Sequence, residues 1–181
     1  MPNPTQYNRH SIRLKEYDYS LEGAYFVTLI TYHRMHLFGD IIHGINKLSP
    51  YGHIAFNRWT QLGKRFPQSD FSTFVIMPNH VHGIIFLVRD ANMESQLAKD
   101  QSPILHRSRL PKIKAITLGT IVRAYKASVT FRINAMSGFN RHPVWQRNYY
   151  EQIISNEKEL DNIWKYIEAN PDRWGEDKFY S

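Results

Sequence analysis

The clearest apolar run near the start is Ala24-Tyr25-Phe26-Val27-Thr28-Leu29-Ile30-Thr31-Tyr32, dense in β-branched and aromatic residues and bounded by Gly23, which predicts a buried strand. His33 to Pro50 carries Gly39, Gly44 and Pro50 and has room for short strands or a hairpin. From Tyr51 to Phe66 the spacing of Ile54, Trp59, Leu62 and Phe66 predicts one helix, stopped by Pro67. Phe74-Val75-Ile76-Met77 predicts a second strand, Pro78-Asn79 a turn, and His80 to Val88 a third strand, so these two form a hairpin. Ile116 to Ile133 places Leu118, Ile121, Val122, Tyr125 and Val129 on one helical stripe, closed beyond by Gly138 and Pro143. Val144 to Tyr150 predicts a fourth strand or extended segment. A last helix runs from Asn156 to Asn170, with Ser155 as N-cap, a stripe of Leu160, Ile163, Trp164 and Ile167, and Pro171 as terminator.

The order strand, helix, strand, strand, helix, strand, helix is that of an α+β protein. It predicts a ferredoxin-like, split βαβ antiparallel sheet with an additional C-terminal helix. At 181 residues the chain is expected to be one domain, 1–181, with residues 1–20 as a basic N-terminal arm and 89–114 as a long polar loop. There is no internal repeat of 20–50 residues and no low-complexity tract.

Composition narrows the function. Lys and Arg number 23 against 16 Asp and Glu, a formal charge of +7, which favours a polyanionic partner. The absence of cysteine excludes a disulfide scaffold, a thiolate zinc site, an iron–sulfur cluster and a cysteine nucleophile. Met1-Pro2-Asn3-Pro4 lacks the basic-then-apolar pattern of a secretory signal, and the longest apolar run, Ile84 to Val88, is far too short to span a bilayer. A cytoplasmic protein with no membrane partner is expected. Aromatics at 14% suit base stacking and an ordinary core equally.

His80 and His82 are two apart on a predicted strand, so both imidazoles leave the same face and can share one divalent ion. Two imidazoles are not a site, and a third ligand is needed. The plain alternative is a pair of core or surface histidines. On the last helix Tyr166 and Asn170 lie one turn apart on a flank of the apolar stripe. A hydroxyl and a carboxamide there could act as nucleophile and metal ligand; a boundary tyrosine and a C-terminal Asn would have the same spacing.

Met77-Pro78-Asn79-His80-Val81-His82-Gly83-Ile84-Ile85 resembles the His-hydrophobe-His strand of the HUH single-strand endonucleases, and more closely that of the single-tyrosine transposases of small insertion sequences and the REP-associated tyrosine transposases. Trp145-Gln146-Arg147-Asn148-Tyr149-Tyr150-Glu151 is similar to the block preceding the tyrosine helix in that group, and Tyr166-Ile167-Glu168-Ala169-Asn170-Pro171 to the catalytic helix. Arg13-Leu14-Lys15 and Gly23-Ala24-Tyr25-Phe26-Val27-Thr28 fit as well, so the resemblance spans about residues 9 to 174; residues 89–114 have no counterpart in it.

The resemblance implies that His80 and His82 bind Mg²⁺ or Mn²⁺ and that Tyr166, on the C-terminal helix, is the nucleophile. Insertion-sequence members carry Gln four residues after the tyrosine; Asn170 stands there in this chain, as in the REP-associated branch. Its amide oxygen sits on a side chain one methylene shorter, so ligation is expected with the helix slightly closer. Tyr150 is the alternative nucleophile. The implied activity is metal-dependent nicking and joining of single-stranded or hairpin DNA through a 5′-phosphotyrosine, in transposition or hairpin processing. Arg13, Lys15, Arg123, Lys126, Arg141 and Arg147 are candidate phosphate contacts, each of which would otherwise be a solvated surface charge. A homodimer is allowed. The rival functions are a non-catalytic, basic nucleic-acid-binding module of ferredoxin-like fold and, more remotely, a metal hydrolase acting through bound water.

Overall fold

The computed structural model describes residues 22–88, 116–138 and 142–180. The predicted arm (1–20), the polar loop (89–114), Arg13, Lys15 and Arg141 lie outside the described residues.

Among the described residues seven strands and four α-helices follow in chain order: β1 Gly23–Ile30, β2 Gly39–Ile42, β3 Ile45–Leu48, α1 Pro50–Thr60, α2 Leu62–Arg65, β4 Ser69–Asp70, β5 Phe74–Ile76, β6 His80–Leu87, α3 Leu118–Ser137, β7 Tyr150–Ile154 and α4 Glu157–Ala169. The main sheet is antiparallel in the order β4-β6-β1-β7, with β5 pairing β6 next to β4; β2 and β3 form a separate hairpin. Reduced to β1, β5, β6 and β7, this is the fourth-first-third-second order of the ferredoxin-like fold, as the sequence pattern predicts.

Alternation along the two central strands decides what faces where. Tyr25, Val27 and Leu29 of β1 and Val81, Ile85 and Leu87 of β6 point into the main core, where α1 and α3 supply Ala55, Trp59, Ile121, Tyr125 and Val129. Residues directly opposite in an antiparallel pair share a face. The pairs Phe26–Ile84, Thr28–His82 and Ile30–His80 therefore form the other face. Gly83 belongs to the core face, where Trp59 packs against its backbone: a Cβ there would lie 2.2 Å from the Trp59 ring. The Trp59 indole N–H is in turn satisfied by the Phe71 carbonyl at 2.9 Å.

Helix α1 starts where Ser49 accepts from the Gly52 amide at 3.0 Å with Pro50 in the first turn. The single helix expected over Tyr51–Phe66 is broken at Gln61 into α1 and α2, a bend that leaves both Leu62 and Phe66 buried. α3 begins at its Thr117 cap and ends on Gly138 in the left-handed region (φ 69°). The cap of α4 is Asn156, which accepts from the Glu159 amide, rather than the expected Ser155, whose own amide is bound by the Glu159 carboxylate.

The fourth strand also starts later than the expected Val144–Tyr150. Trp145 bridges Thr31 and Tyr150 pairs Thr28, so five steps on the outer segment oppose three on β1, a bulge two residues deep. Its carbonyls are not left bare. The Lys126 ammonium donates to those of Gln146, Arg147 and Asn148 at 2.5, 3.4 and 3.3 Å. Burial pushes that ammonium down to a pKa of about 8.

Helix α4 covers the opposite sheet face with Ile163 and Ile167, which pack with Ile84, Phe26 and Ile154 in a second, smaller core. Trp164, predicted in the apolar stripe, is exposed: the covered sheet face is narrow, and two positions per turn fill it.

Candidate metal and tyrosine site

The C-terminal end of α4 lies over the start of β6 and brings Tyr166 and Asn170 to the two histidines. The Tyr166 hydroxyl is 3.2 Å from His82 Nε2. Both histidines are buried and their rings meet edge to face at 4.4 Å between centroids. Each is oriented through its other nitrogen: His82 Nδ1 lies 2.9 Å from the Thr28 hydroxyl, and His80 Nδ1 2.8 Å from the Asn79 carboxamide oxygen. That arrangement turns both Nε2 atoms toward the same space, the way supporting hydrogen bonds orient imidazole ligands. Phe26 stacks on His82 at 5.2 Å and Phe179 covers His80 at 4.9 Å.

The segment after α4 returns to the same place. Asp177 Oδ2 accepts from the Asn170 amide at 3.1 Å and stands 4.0 Å from His80 Nε2. Its other oxygen holds the Phe179 amide at 2.6 Å, and the Phe179 carbonyl accepts from Asn79 at 2.8 Å. His80, His82 and Asp177 thus bring ligand atoms within 4.8 Å of one another, a group that can hold a metal ion. Two buried atoms in this cluster have no hydrogen-bond partner, His80 Nε2 and the Asn170 side-chain oxygen. Unpartnered buried acceptors are costly, and a cation would satisfy both at once.

Electrostatics agree with that use. Burial holds His80 down to about 4, against the opposing pull of Asp177, and burial together with His80 holds His82 well below the ordinary range. Both rings are neutral at pH 7, the form that ligates metals. Burial, with the charge of Asp177 adding to it, raises Tyr166 above the usual phenol range, so the hydroxyl keeps its proton.

Tyr150, the alternative nucleophile, is on the same sheet face, opposite Thr28, but its ring lies against Phe179 and Lys178. Tyr149 packs toward the main core. Arg123, Lys126 and Arg147 are elsewhere, together along α3 and the bulge. Sequence reasoning missed Asp177, Thr28 and Asn79. Asn79 sat inside the quoted motif, whereas Thr28 needed the β1–β6 register and Asp177 a contact made only by the folded tail.

The chain superposes on a REP-associated tyrosine transposase solved bound to a REP hairpin, with a TM-score of 0.58 and 17% identity, over 92% of this chain and 77% of the other. The two share one fold. No protein-family model matches the chain. It is 40% identical over 185 aligned positions to an uncharacterized protein of Haemophilus influenzae, covering 97% of this chain and 98% of that one, and belongs to one family with it. Among the described residues no helix is long and apolar enough to cross a membrane.

Proposed function

We propose that the chain is a tyrosine transposase of the HUH class, a metal-dependent enzyme that nicks and rejoins single-stranded or hairpin DNA through Tyr166. The observation that carries this reading is the placement of a partly exposed phenol 3.2 Å from one of two buried neutral imidazoles, beside two unpartnered acceptors. His80, His82, Asp177 and the oxygen of Asn170 would hold Mg²⁺ or Mn²⁺. When bound, the ion supplies polarisation of a phosphate oxygen and neutralises developing charge.

The protein's own residues do the rest. Thr28 and Asn79 fix the imidazole orientations, and Phe26 and Phe179 exclude water from the rings. Helix α4 holds the phenol at the rim of the site, where 39% of Tyr166 remains exposed and a phosphate can approach in line. In the proposed step the Tyr166 oxygen bonds to phosphorus, the bond from phosphorus to the 3′ oxygen breaks, and the phenolic proton ends on that oxygen. The products are a 5′-phosphotyrosine and a free 3′-hydroxyl. Attack by a 3′-hydroxyl on the phosphotyrosine reverses the bookkeeping and rejoins DNA. A hairpin-bound relative of the same fold supports DNA as the substrate.

The test is incubation with labelled hairpin DNA carrying single-stranded flanks, with Mn²⁺ or Mg²⁺, followed by a denaturing gel. A shifted protein–DNA adduct is expected, absent with chelator. Cleavage without adduct would assign a metal hydrolase using water, and binding without cleavage a recognition module.

A further inference from the structure

Among the described residues, the cations expected at the phosphates, Arg123, Lys126 and Arg147, are not at the tyrosine site. Arg123 and Arg147, both exposed, line a cleft of about 710 Å³ between α3 and the Pro143–Tyr149 segment. α3 packs on the sheet face opposite the one that carries His80 and His82. Small residues of α3, Gly119, Ala127 and Thr130, also line the cleft, and with them Phe131, whose ring is 69% exposed. The far wall is the bulge, rigidified by Lys126.

The cleft does not end at the bulge. A second hollow of about 450 Å³ shares Pro143, Trp145, Gln146 and Arg147 with it and continues to Tyr32 and His33. Those two follow β1 after Thr31, and the last residue of β1, Ile30, pairs with His80. The two hollows together run from α3 past the bulge to the segment that follows β1, whose last residue neighbours the start of β6 where the histidines stand.

Charge along the sequence is as uneven as the surface. Residues 101–150 contain nine of the 23 Lys and Arg and none of the 16 Asp and Glu, so this stretch carries +9 and the remaining chain −2. Such an asymmetry is the footprint of a polyanion.

We propose that this cleft is a second nucleic-acid site, a track for the single strand that flanks the scissile phosphate. Arg123 and Arg147 take its phosphates, Phe131 stacks a base, and the Tyr32–His33 end hands the strand to the tyrosine face. A single strand fits better than duplex because a base must be unpaired to lie on Phe131. The identity of the polyanion as DNA rests on the function proposed above.

The experiment measures binding of the full chain by fluorescence anisotropy over a salt series. The probes are a DNA hairpin, the same hairpin with a single-stranded extension on either side, and the extended form made duplex by a complement. Wild type is expected to prefer the extended single strand. Arg123→Ala with Arg147→Ala should abolish that preference and lower the log–log salt slope by about 1.4, at about 0.7 for each single-strand phosphate. Phe131→Ala should weaken the extended probe by on the order of tenfold while leaving the bare hairpin unchanged. Arg132→Ala, an exposed cation that does not line the cleft, is the control and should change neither. An unchanged preference in the double variant, an equal loss in the Arg132 control, or equal affinity for the duplex extension would each overturn the track. Covalent adduct formation is scored separately on the same probes. Its absence in a wild type that still shows the extension preference would remove the nuclease reading and leave the track standing.

Discussion

Replacing Tyr166 by Phe removes one oxygen and separates the roles that meet at His82. In the folded protein that oxygen lies 3.2 Å from His82 Nε2, with Asn170 and Asp177 also beside it, on a side chain 39% exposed. A single neutral hydrogen bond contributes about 0.5–1.5 kcal/mol, and water can reach the vacated position. The expected loss of stability is therefore about 0.5–1.5 kcal/mol, roughly 1–6 °C in Tm for a domain of this size. Metal binding should not suffer. The hydroxyl occupies the nitrogen that a metal needs, so its removal should leave affinity unchanged or raise it by no more than about tenfold, the equivalent of that one bond. The adduct, by contrast, should vanish altogether. The assay pairs calorimetric titration with Mn²⁺ and a denaturing gel of labelled hairpin DNA, run on wild type, Tyr166→Phe and Tyr150→Phe. The last should keep most adduct formation, since its ring lies against Phe179 and Lys178. An adduct that survives Tyr166→Phe, or a variant that folds but loses metal, would refute the assignment of roles.

Three further outcomes follow from the geometry. Thr28→Val frees the His82 ring from the hydroxyl that orients it and should weaken Mn²⁺ binding by about 10–100-fold at near-normal stability, read by titration; an unchanged affinity would mean that packing on Phe26 alone sets the ring. Gly83→Ala drives a methyl into the Trp59 ring and should cost about 1–3 kcal/mol or more in urea unfolding, with neutrality showing that Trp59 can move aside freely. Acid should destabilise the metal-free protein: both histidines are held below their unfolded value, so the unfolded chain takes up protons that the fold refuses. Stability should be full above pH 6.5 and fall as pH drops from there toward about 4, and denaturant midpoints that match at pH 7.5 and 5 would contradict it.

Local pattern was enough to read most of the scaffold. Period-2 alternation in β1 and β6, the stripe of α3 and the breakers Pro67, Gly138 and Pro171 are consequences of side-chain periodicity and backbone sterics, which act over a few residues. The histidine pair was legible for the same reason, since same-face geometry at i and i+2 is a property of any strand. The misreadings occurred where distant groups decide the outcome. The bulge before β7 depends on Lys126, about twenty residues earlier, and so the pattern of Val144–Tyr150 leaves a strand and an extended segment equally open. Thr28 as the partner of His82 depends on strand register, and Asp177 on a tail that folds back beyond Pro171; neither leaves a periodic trace. Gln61 interrupts a helix whose hydrophobic spacing runs on unbroken.

The register of β6 has a consequence for how this protein can change. The histidines proposed to hold the metal occupy the even positions of the strand, and Gly83 with its apolar neighbours the odd ones. Losing one residue from the Pro78–Asn79 turn would exchange the two sets: imidazoles would be driven toward Trp59 and Tyr125, and the position that must lack a Cβ would no longer face the indole. Chemistry and core are thus stored as opposite parities of a single strand. Substitutions can silence the site while the fold persists, but a one-residue deletion there removes both together, so inactive descendants of this chain should accumulate point changes at His80, His82 or Tyr166 and keep the length of that turn.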